Sequence, residues 1–142
     1  MNAQTERLTL SGPAGAIEAV RDSAALSDGT SPRGVAIIAH PHPLFGGTMD
    51  NKVVQTLARA FVQCGWTAVR FNFRGVGATE GVYDEGQGEL QDLLAVVEQV
   101  APAAAGQRIA LAGFSFGAFV TSHALAALWP QGRVDQAVLV GT

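Results

Sequence analysis

The stretch Gly113-Phe114-Ser115-Phe116-Gly117 constrains this chain more than any other part of its sequence. It follows a short apolar run, Arg108–Ala112, and precedes a helical pattern, so it falls in a turn between a strand and a helix. Glycines two residues either side of Ser115 indicate a turn so tight that side chains there would collide. Such a turn lifts the Ser115 hydroxyl above the sheet and beside a helix N-terminus, where N–H groups and the helix dipole stabilise a developing oxyanion. Ser115 is therefore a candidate nucleophile.

The spacing of apolar residues predicts strands alternating with helices along the rest of the chain. The first two predicted strands are joined by a short glycine- and proline-containing segment and are expected to form an antiparallel hairpin. The later alternation is typical of an α/β fold, a mostly parallel sheet with helices on both faces. The length of 142 residues fits one domain, 1–142. The predicted strands are Thr5–Leu10, Ala16–Arg21, Val35–Ala39, Thr67–Phe73, Arg108–Ala112 and Val134–Val140, and the predicted helices are Asp50–Cys64, Glu89–Ala101 and Phe116–Trp129.

Two further segments are similar to a known group of enzymes. They are Val35–Val54, which includes the sequence HPHPLFGGTMDNKVV from His40 onwards, and Phe71–Gly77, with the sequence FNFRGVG. Together with the Gly-x-Ser-x-Gly turn, they resemble small bacterial α/β-hydrolases related to the dienelactone hydrolases, and the resemblance covers nearly the whole chain. It implies a serine hydrolase of the carboxylesterase or thioesterase type, which cleaves an acyl bond of a small molecule. We expect no cofactor.

The loop His40–Gly47 follows the third predicted strand, at the sheet edge where open parallel sheets bind ligands. In α/β-hydrolases this loop supplies one N–H of the oxyanion hole, and the residue after the nucleophile, here Phe116, supplies the other. The two prolines of the loop have no N–H, so His42 is the expected loop donor and Leu44 is the alternative. The residues expected to line the substrate pocket are His40, Phe45, Gly46 and Arg74.

Two other interpretations of these loops have less support. A His-x-His pair such as His40 and His42 is able to hold a metal ion, but no third ligand follows at a suitable spacing, and we expect no metal. The glycines of Arg74–Gly81 suggest a dinucleotide-binding turn, but they do not open a helix directly, and no acidic residue ends a strand ~20 residues later. The segment is more typical of a pocket-lining loop, with Arg74 either salt-bridged within the loop or touching the substrate.

A serine nucleophile needs a histidine base and an orienting acid, and in α/β-hydrolases both follow the serine in the chain. After Ser115 the chain has His123 and Asp135. At a rise of ~1.5 Å per residue, His123 lies ~12 Å below Ser115 along the next helix, which is too far for a hydrogen bond. It is expected to be a partly buried structural histidine, and Asp135 a surface carboxylate. His40, His42 and the acids of the 80–85 loop would serve only through a non-standard arrangement.

The last predicted strand, Val134–Val140, is apolar, which is typical of an interior strand with a neighbour on each side. In the resembled family the acid loop and then the histidine loop follow this strand. We therefore expect the acid and base to lie beyond Thr142 and the sequence to be an N-terminal portion of a longer hydrolase. This predicts little turnover by these residues alone. The alternative is a non-catalytic module of the same fold that binds a ligand or a partner.

Composition argues against several other classes. The formal net charge is −3 and no basic patch is present, so we expect neither nucleic acid nor a membrane as a partner. Apolar runs are far shorter than a membrane span, and residues 1–10 lack the apolar core of a signal peptide, which favours a cytoplasmic location. Cys64 is the single cysteine, so no internal disulfide forms. Its helical, apolar setting predicts a buried thiol. The sequence leaves the oligomeric state open.

Overall fold

In the computed structural model, which describes residues 5–141, six strands form one sheet with helices on both of its faces. Every strand and helix expected from the sequence is present, and each end lies within two residues of its expected position. Residues 1–4, which contribute to the cytoplasmic expectation, and the boundary at Thr142 lie outside the described range. The strands are β1 (Thr5–Gly12), β2 (Gly15–Asp22), β3 (Val35–Ala39), β4 (Thr67–Phe71), β5 (Ile109–Phe114) and β6 (Val134–Val140), and the helices are α1 (Lys52–Gln63), α2 (Gln87–Val100) and α3 (Phe116–Leu128).

The strand order is β1-β2-β4-β3-β5-β6. β1 and β2 form an antiparallel hairpin that joins β4, whereas β4, β3, β5 and β6 run parallel to one another. This confirms the mostly parallel sheet with an N-terminal hairpin at one edge. The central strands β3 and β5 are neighbours, and Ala39 pairs with Gly113 where both strands end. The loop after β3 and the turn at Ser115 therefore start side by side.

Two apolar cores sandwich the sheet. All five residues of β3 are buried, because successive side chains of a strand point to opposite faces and both faces are covered. Ile37 packs with residues of α2 and α3, such as Leu93 and Val120. Ile38 packs with residues of α1, such as Val54. The strands that carry the site are thus fixed on both faces, which gives the loops at their ends a rigid base.

Helix α1 begins later than its apolar spacing predicts because Asn51 caps it. The Asn51 side chain accepts hydrogen bonds from the N–H groups of Val53 and Val54. The helix ends at Gln63, and Cys64 occupies the C-cap position. Cys64 is exposed, so the expectation of a buried thiol was wrong. Apolar residues nearby in the sequence did not reveal that this last position turns to solvent.

Strand β6 lies at an edge of the described sheet. It pairs with β5 on one side, and no strand within residues 5–141 pairs with its other side. Of its residues only Val134 is buried in this part of the chain. The interior position expected from its apolar sequence is therefore not seen among the described residues.

Residues 5–141 contain no helix that combines the length and the apolar character required to cross a membrane.

Candidate active site

The turn between β5 and α3 holds Ser115 in a backbone conformation that non-glycine residues rarely adopt, with φ 58° and ψ −117°. A Cβ atom on Gly113 would lie 2.4 Å from the carbonyl oxygen of Gly117. A Cβ atom on Gly117 would lie 2.3 Å from the carbonyl oxygen of Ala39 and 2.5 Å from that of His40. The collisions expected from the sequence are therefore present in the structure. The glycines let the turn close and let it touch the end of β3.

Backbone hydrogen bonds fix this turn on both sides. The N–H of Ser115 donates to the carbonyl of Val140 on β6 at 2.8 Å. The carbonyl of Ser115 accepts from the N–H groups of Ala118 and Phe119, at 2.9 and 3.1 Å, and so begins α3. The Ser115 residue itself is exposed. Its strained backbone, of the kind that costs about 1–3 kcal/mol, is held by contacts on every side, which is common at functional sites.

The loop after β3 places His42 beside Ser115. Within residues 5–141, neither the N–H of His42 nor that of Phe116 has a hydrogen-bond acceptor. The N–H of Leu44, in contrast, donates to Nδ1 of His42 at 3.1 Å. Of the two loop donors considered from the sequence, His42 is therefore the one with an uncommitted N–H. An open cavity of about 570 Å³ at this point is lined by His42, Ser115, Phe116, Phe119, Ser122, Leu139 and Gly141.

The imidazole of His42 has partners at both nitrogens. Nδ1 accepts from Leu44, and Nε2 lies 3.1 Å from the hydroxyl of Tyr83. The ring also lies 4.8 to 4.9 Å from the ring centroids of Phe45, Tyr83 and Phe116. Tyr83 was not predicted to be a site residue. The one sequence feature that pointed to it is that the single tyrosine of the chain lies in the glycine- and acid-rich loop beside the predicted pocket.

His40 is buried in the core and was wrongly expected to line the pocket. Its Nδ1 donates to the carbonyl of Pro41 at 2.7 Å, and its Nε2 accepts from the N–H of Phe73 at 3.0 Å. Burial lowers the pKa of the His40 imidazole to about 4. With no exposed surface and both nitrogens engaged, His40 ties the loop after β3 to the end of β4 and is not available to a substrate.

Arg74, which is half-buried, forms an ion pair with the buried Asp92 that joins its loop to α2. Its Nε and Nη2 atoms lie 3.1 and 2.8 Å from the two carboxylate oxygens of Asp92. Hydrogen bonding to Asp92 raises the pKa of the Arg74 guanidinium. A Cβ on Gly88 would lie 2.2 Å from Nη1 of Arg74, so the glycine makes room for the pair. Arg74 is salt-bridged, which is one of the two roles considered for it, but its partner Asp92 lies on α2 and not in the loop. Asp92 was not predicted from the sequence, because it lies inside an otherwise apolar helix pattern.

The exposed end of the loop after β3 carries the other two expected pocket residues. Pro43–Phe45 form one short 3-10 turn, which ends at Gly46 with φ 83°. Phe45 is 85% exposed and touches the site through its contact with the His42 ring. A Cβ on Gly46 would meet nothing within 4 Å, so this glycine borders open space.

No histidine of the described chain is hydrogen-bonded to the hydroxyl of Ser115. His123 is exposed on α3, not partly buried as expected, and its ring stands edge-on to Phe119 at 4.8 Å. Asp135 is a surface carboxylate, as expected, and pairs with Arg108. That pairing lowers the pKa of Asp135. The described residues therefore contain the serine and two uncommitted N–H groups but no base hydrogen-bonded to the serine.

Comparison with known proteins places this geometry in a family. Residues 30–142 match the family described as serine aminopeptidase S33. An α/β serine hydrolase without a lid from Xanthomonas campestris is 43% identical, with a TM-score of 0.82 over 91% of this chain. An α/β serine hydrolase homologue from Coxiella burnetii is 45% identical, with a TM-score of 0.78 over 88% of this chain. An uncharacterised protein of Rickettsia prowazekii is 41% identical over 118 residues, 80% of this chain.

The match covers only part of each relative. The chain spans 59% of the Xanthomonas structure, 58% of the Coxiella structure and 47% of the Rickettsia protein.

Proposed function

Since this chain belongs to the serine aminopeptidase S33 family of α/β-hydrolases, we propose that it carries the nucleophile and the oxyanion hole of a serine hydrolase acting on small acyl esters or thioesters. The observation that carries the proposal is the position of Ser115. It is exposed on a strained turn, next to two N–H groups, those of His42 and Phe116, that have no acceptor within residues 5–141. A nucleophile beside paired N–H donors is the arrangement that acyl transfer requires.

In the proposed reaction, Ser115 Oγ attacks the acyl carbon and its proton passes to a base. The carbonyl oxygen becomes an oxyanion, which accepts hydrogen bonds from the N–H groups of Phe116 and His42. The leaving alcohol or thiol takes the proton from the base, and an acyl-serine remains. Water then attacks the acyl carbon and gives a proton to the base. The base passes that proton to Ser115 Oγ as the bond between Oγ and the acyl carbon breaks and the carboxylic acid leaves. In this proposal the base and its acid come from outside residues 5–141, because no described histidine is hydrogen-bonded to Ser115.

The lining of the cavity favours a neutral acyl group. Phe116, Phe119 and Leu139 supply apolar walls beside Ser115. No lysine or arginine is among the residues that line it in the described chain, and Arg74, the cationic residue of the neighbouring loop, is already paired with Asp92. An anionic acyl group would therefore enter without a counter-charge. Short aliphatic and aromatic acyl groups are the better substrates.

Hydrolysis of p-nitrophenyl esters by the whole protein tests this proposal. We expect turnover of the acetate and butyrate esters, and Ser115→Ala to lower kcat on the order of 10⁶-fold, as loss of a serine nucleophile does elsewhere. The matched control is Ser122→Ala, the same change in the same cavity, where the hydroxyl donates to the carbonyl of Phe119. It should retain kcat within a few-fold. Equal activity of Ser115→Ala and the parent protein would contradict the proposal.

A second candidate is a module of this fold that binds a ligand or a partner without catalysis. It is favoured by one observation, the absence of a base in contact with Ser115 among the described residues. A fluorophosphonate separates the two candidates because it reacts with activated serines. If the whole protein neither hydrolyses the esters nor is labelled by the fluorophosphonate, the binding module would be favoured.

A further inference from the structure

We propose that Tyr83 is a positioning residue, whose hydroxyl holds the His42 side chain and thereby the oxyanion-hole segment of the loop after β3. The proposal rests on the proposed function of Ser115. Tyr83 belongs to a different loop, between β4 and α2, and meets His42 across 41 positions of sequence. No role for it follows from the nucleophile, the base or the acid.

The hydrogen bonds of His42 define its tautomer. An amide N–H only donates, so Nδ1 of His42 must offer a lone pair to Leu44. A neutral imidazole then carries its proton on Nε2, which lies 3.1 Å from the hydroxyl oxygen of Tyr83. Tyr83 therefore accepts a hydrogen bond from Nε2 and, together with Leu44, holds the ring in this one tautomer. Without the hydroxyl the ring keeps only its bond to Leu44, so the ring and that bond are held less firmly.

That tautomer matters because it shapes the backbone next to the proposed oxyanion. The carbonyl of His42 accepts from the N–H groups of Phe45 and Gly47, at 3.1 and 3.0 Å. Its ring accepts from Leu44. The backbone N–H of His42 is thus the group of this residue that has no partner in the described chain. Every other bond of His42 holds the turn that presents this N–H beside Ser115.

The position of Tyr83 is itself fixed from the start of α2. The carboxylate of Glu89, which is fully buried, accepts from the N–H groups of Asp84 and Gly86, both at 2.8 Å. Its bonds pin the segment that directly follows Tyr83. The Tyr83 ring lies 5.8 Å from the ring of Phe116 and 4.9 Å from that of His42. A chain of contacts thus runs from the helix through Tyr83 to the proposed oxyanion hole.

Tyr83→Phe separates the hydroxyl from the ring, because phenylalanine keeps the packing on His42 and Phe116. The rate of serine modification by a fluorophosphonate, resolved into kinact and KI, is the readout. We expect kinact to fall on the order of 10-fold, less than the 10²–10³ lost when an oxyanion donor is removed outright. KI should stay unchanged, because the hydroxyl acts on the transition state through His42. Val82→Ala, an exposed neighbour in the same loop, is the control and should keep the parent rate.

A double-mutant cycle shows whether Tyr83 acts through His42. His42→Asn retains a side-chain oxygen that accepts from the N–H of Leu44 but loses the contact with Tyr83. In that background Tyr83→Phe should have no further effect on kinact. An effect of equal size in both backgrounds, or a parent-like kinact for Tyr83→Phe alone, would overturn the proposal.

Nitrogen NMR of the histidine side chains keeps the test independent of reactivity. In the parent protein we expect His42 to show a protonated Nε2 and an unprotonated Nδ1, and in Tyr83→Phe a mixture of the two tautomers. Parent-like tautomers in Tyr83→Phe would overturn the proposal. If the fluorophosphonate does not modify the parent protein, the proposed function of Ser115 fails, and the NMR result still decides whether Tyr83 helps to hold the His42 ring in one tautomer.

Discussion

His40 and His42 lie two residues apart in one loop, yet the fold uses them in opposite ways. His40 is fully buried, and both of its ring nitrogens form hydrogen bonds with backbone groups, the carbonyl of Pro41 and the N–H of Phe73. His42 is half-buried, borders the same cavity as Ser115, and binds Leu44 and Tyr83. The first histidine belongs to the core and the second to the site.

The contrast teaches that residue type and spacing do not fix a histidine's role; the backbone groups that surround it do. Phe73, two residues after β4, has a buried N–H that faces His40, and a buried N–H needs a partner. His42 lies two residues further along the loop, and its ring nitrogens bind Leu44 and Tyr83 instead. Three measurements separate the core role of His40 from the site role of His42, with stability effects that decrease from the first to the third.

Replacing each histidine by alanine should give the largest difference. His40→Ala leaves the buried N–H of Phe73 without an acceptor, which costs about 1–3 kcal/mol, and removes the packing on the Phe73 ring. We expect a loss of about 3–4 kcal/mol in the free energy of unfolding. His42→Ala loses two hydrogen bonds, an exposed one to Leu44 and a half-buried one to Tyr83, and should cost about 1–2 kcal/mol. Urea denaturation measures both, and equal losses would break the comparison.

Stability should also depend on pH through His40. The pKa of His40 in the folded protein is about 4, below the ordinary 6.5 that applies when the chain is unfolded. Between these values the unfolded state binds the proton and the folded state does not, so stability is complete above about pH 6.5 and falls as the pH drops towards 4. The full loss is about 3 kcal/mol. Unfolding measured across this window should show the slope in the parent and in His42→Gln.

The matched control for this pH dependence is His40→Gln, which has no titrating group at that position. It should lose the part of the slope that lies between pH 6.5 and 4. A slope that persists unchanged in His40→Gln would assign the effect to other groups and would remove the evidence that His40 is held neutral.

Alanine substitutions at Gly46 and Gly47, the two glycines that follow the histidines, should give a smaller difference in the free energy of unfolding. A Cβ on Gly47 would lie 2.0 Å from the carbonyl oxygen of Pro41, so Gly47→Ala must open the loop between the histidines, at a cost of about 1–3 kcal/mol. In Gly46→Ala the added Cβ has no neighbour within 4 Å, so the positive φ is the only source of its cost, which is about 1 kcal/mol. We expect Gly47→Ala to slow fluorophosphonate modification and Gly46→Ala to affect it less. The reverse order would show that the loop does not depend on this close approach.

The fold was predictable because apolar spacing decides it locally. Val35–Ala39 and Val134–Val140 have the bounds expected from the sequence. The glycines around Ser115 predicted a tight turn, and in the structure a Cβ on Gly113 or Gly117 would collide with backbone atoms. These features depend on neighbours within a few residues, so a single sequence contains the information.

The contacts that complete the site join distant parts of the chain, and the sequence did not reveal them. His40 meets Phe73 across 33 positions, and Arg74 meets Asp92 across 18. Nothing local in the sequence distinguishes the buried histidine of the loop, His40, from the half-buried one, His42. The exposure of Cys64 was missed for a related reason, since it depends on where α1 ends.

Modification of the whole protein with a fluorophosphonate, followed by peptide mass mapping, tests the central claim most directly. A reactive serine forms a phosphonyl adduct with loss of fluoride. We predict one adduct, on Ser115, that disappears in Ser115→Ala and persists in Ser122→Ala. No adduct on the parent protein, or an adduct that survives Ser115→Ala, would contradict the account of Ser115 as the nucleophile.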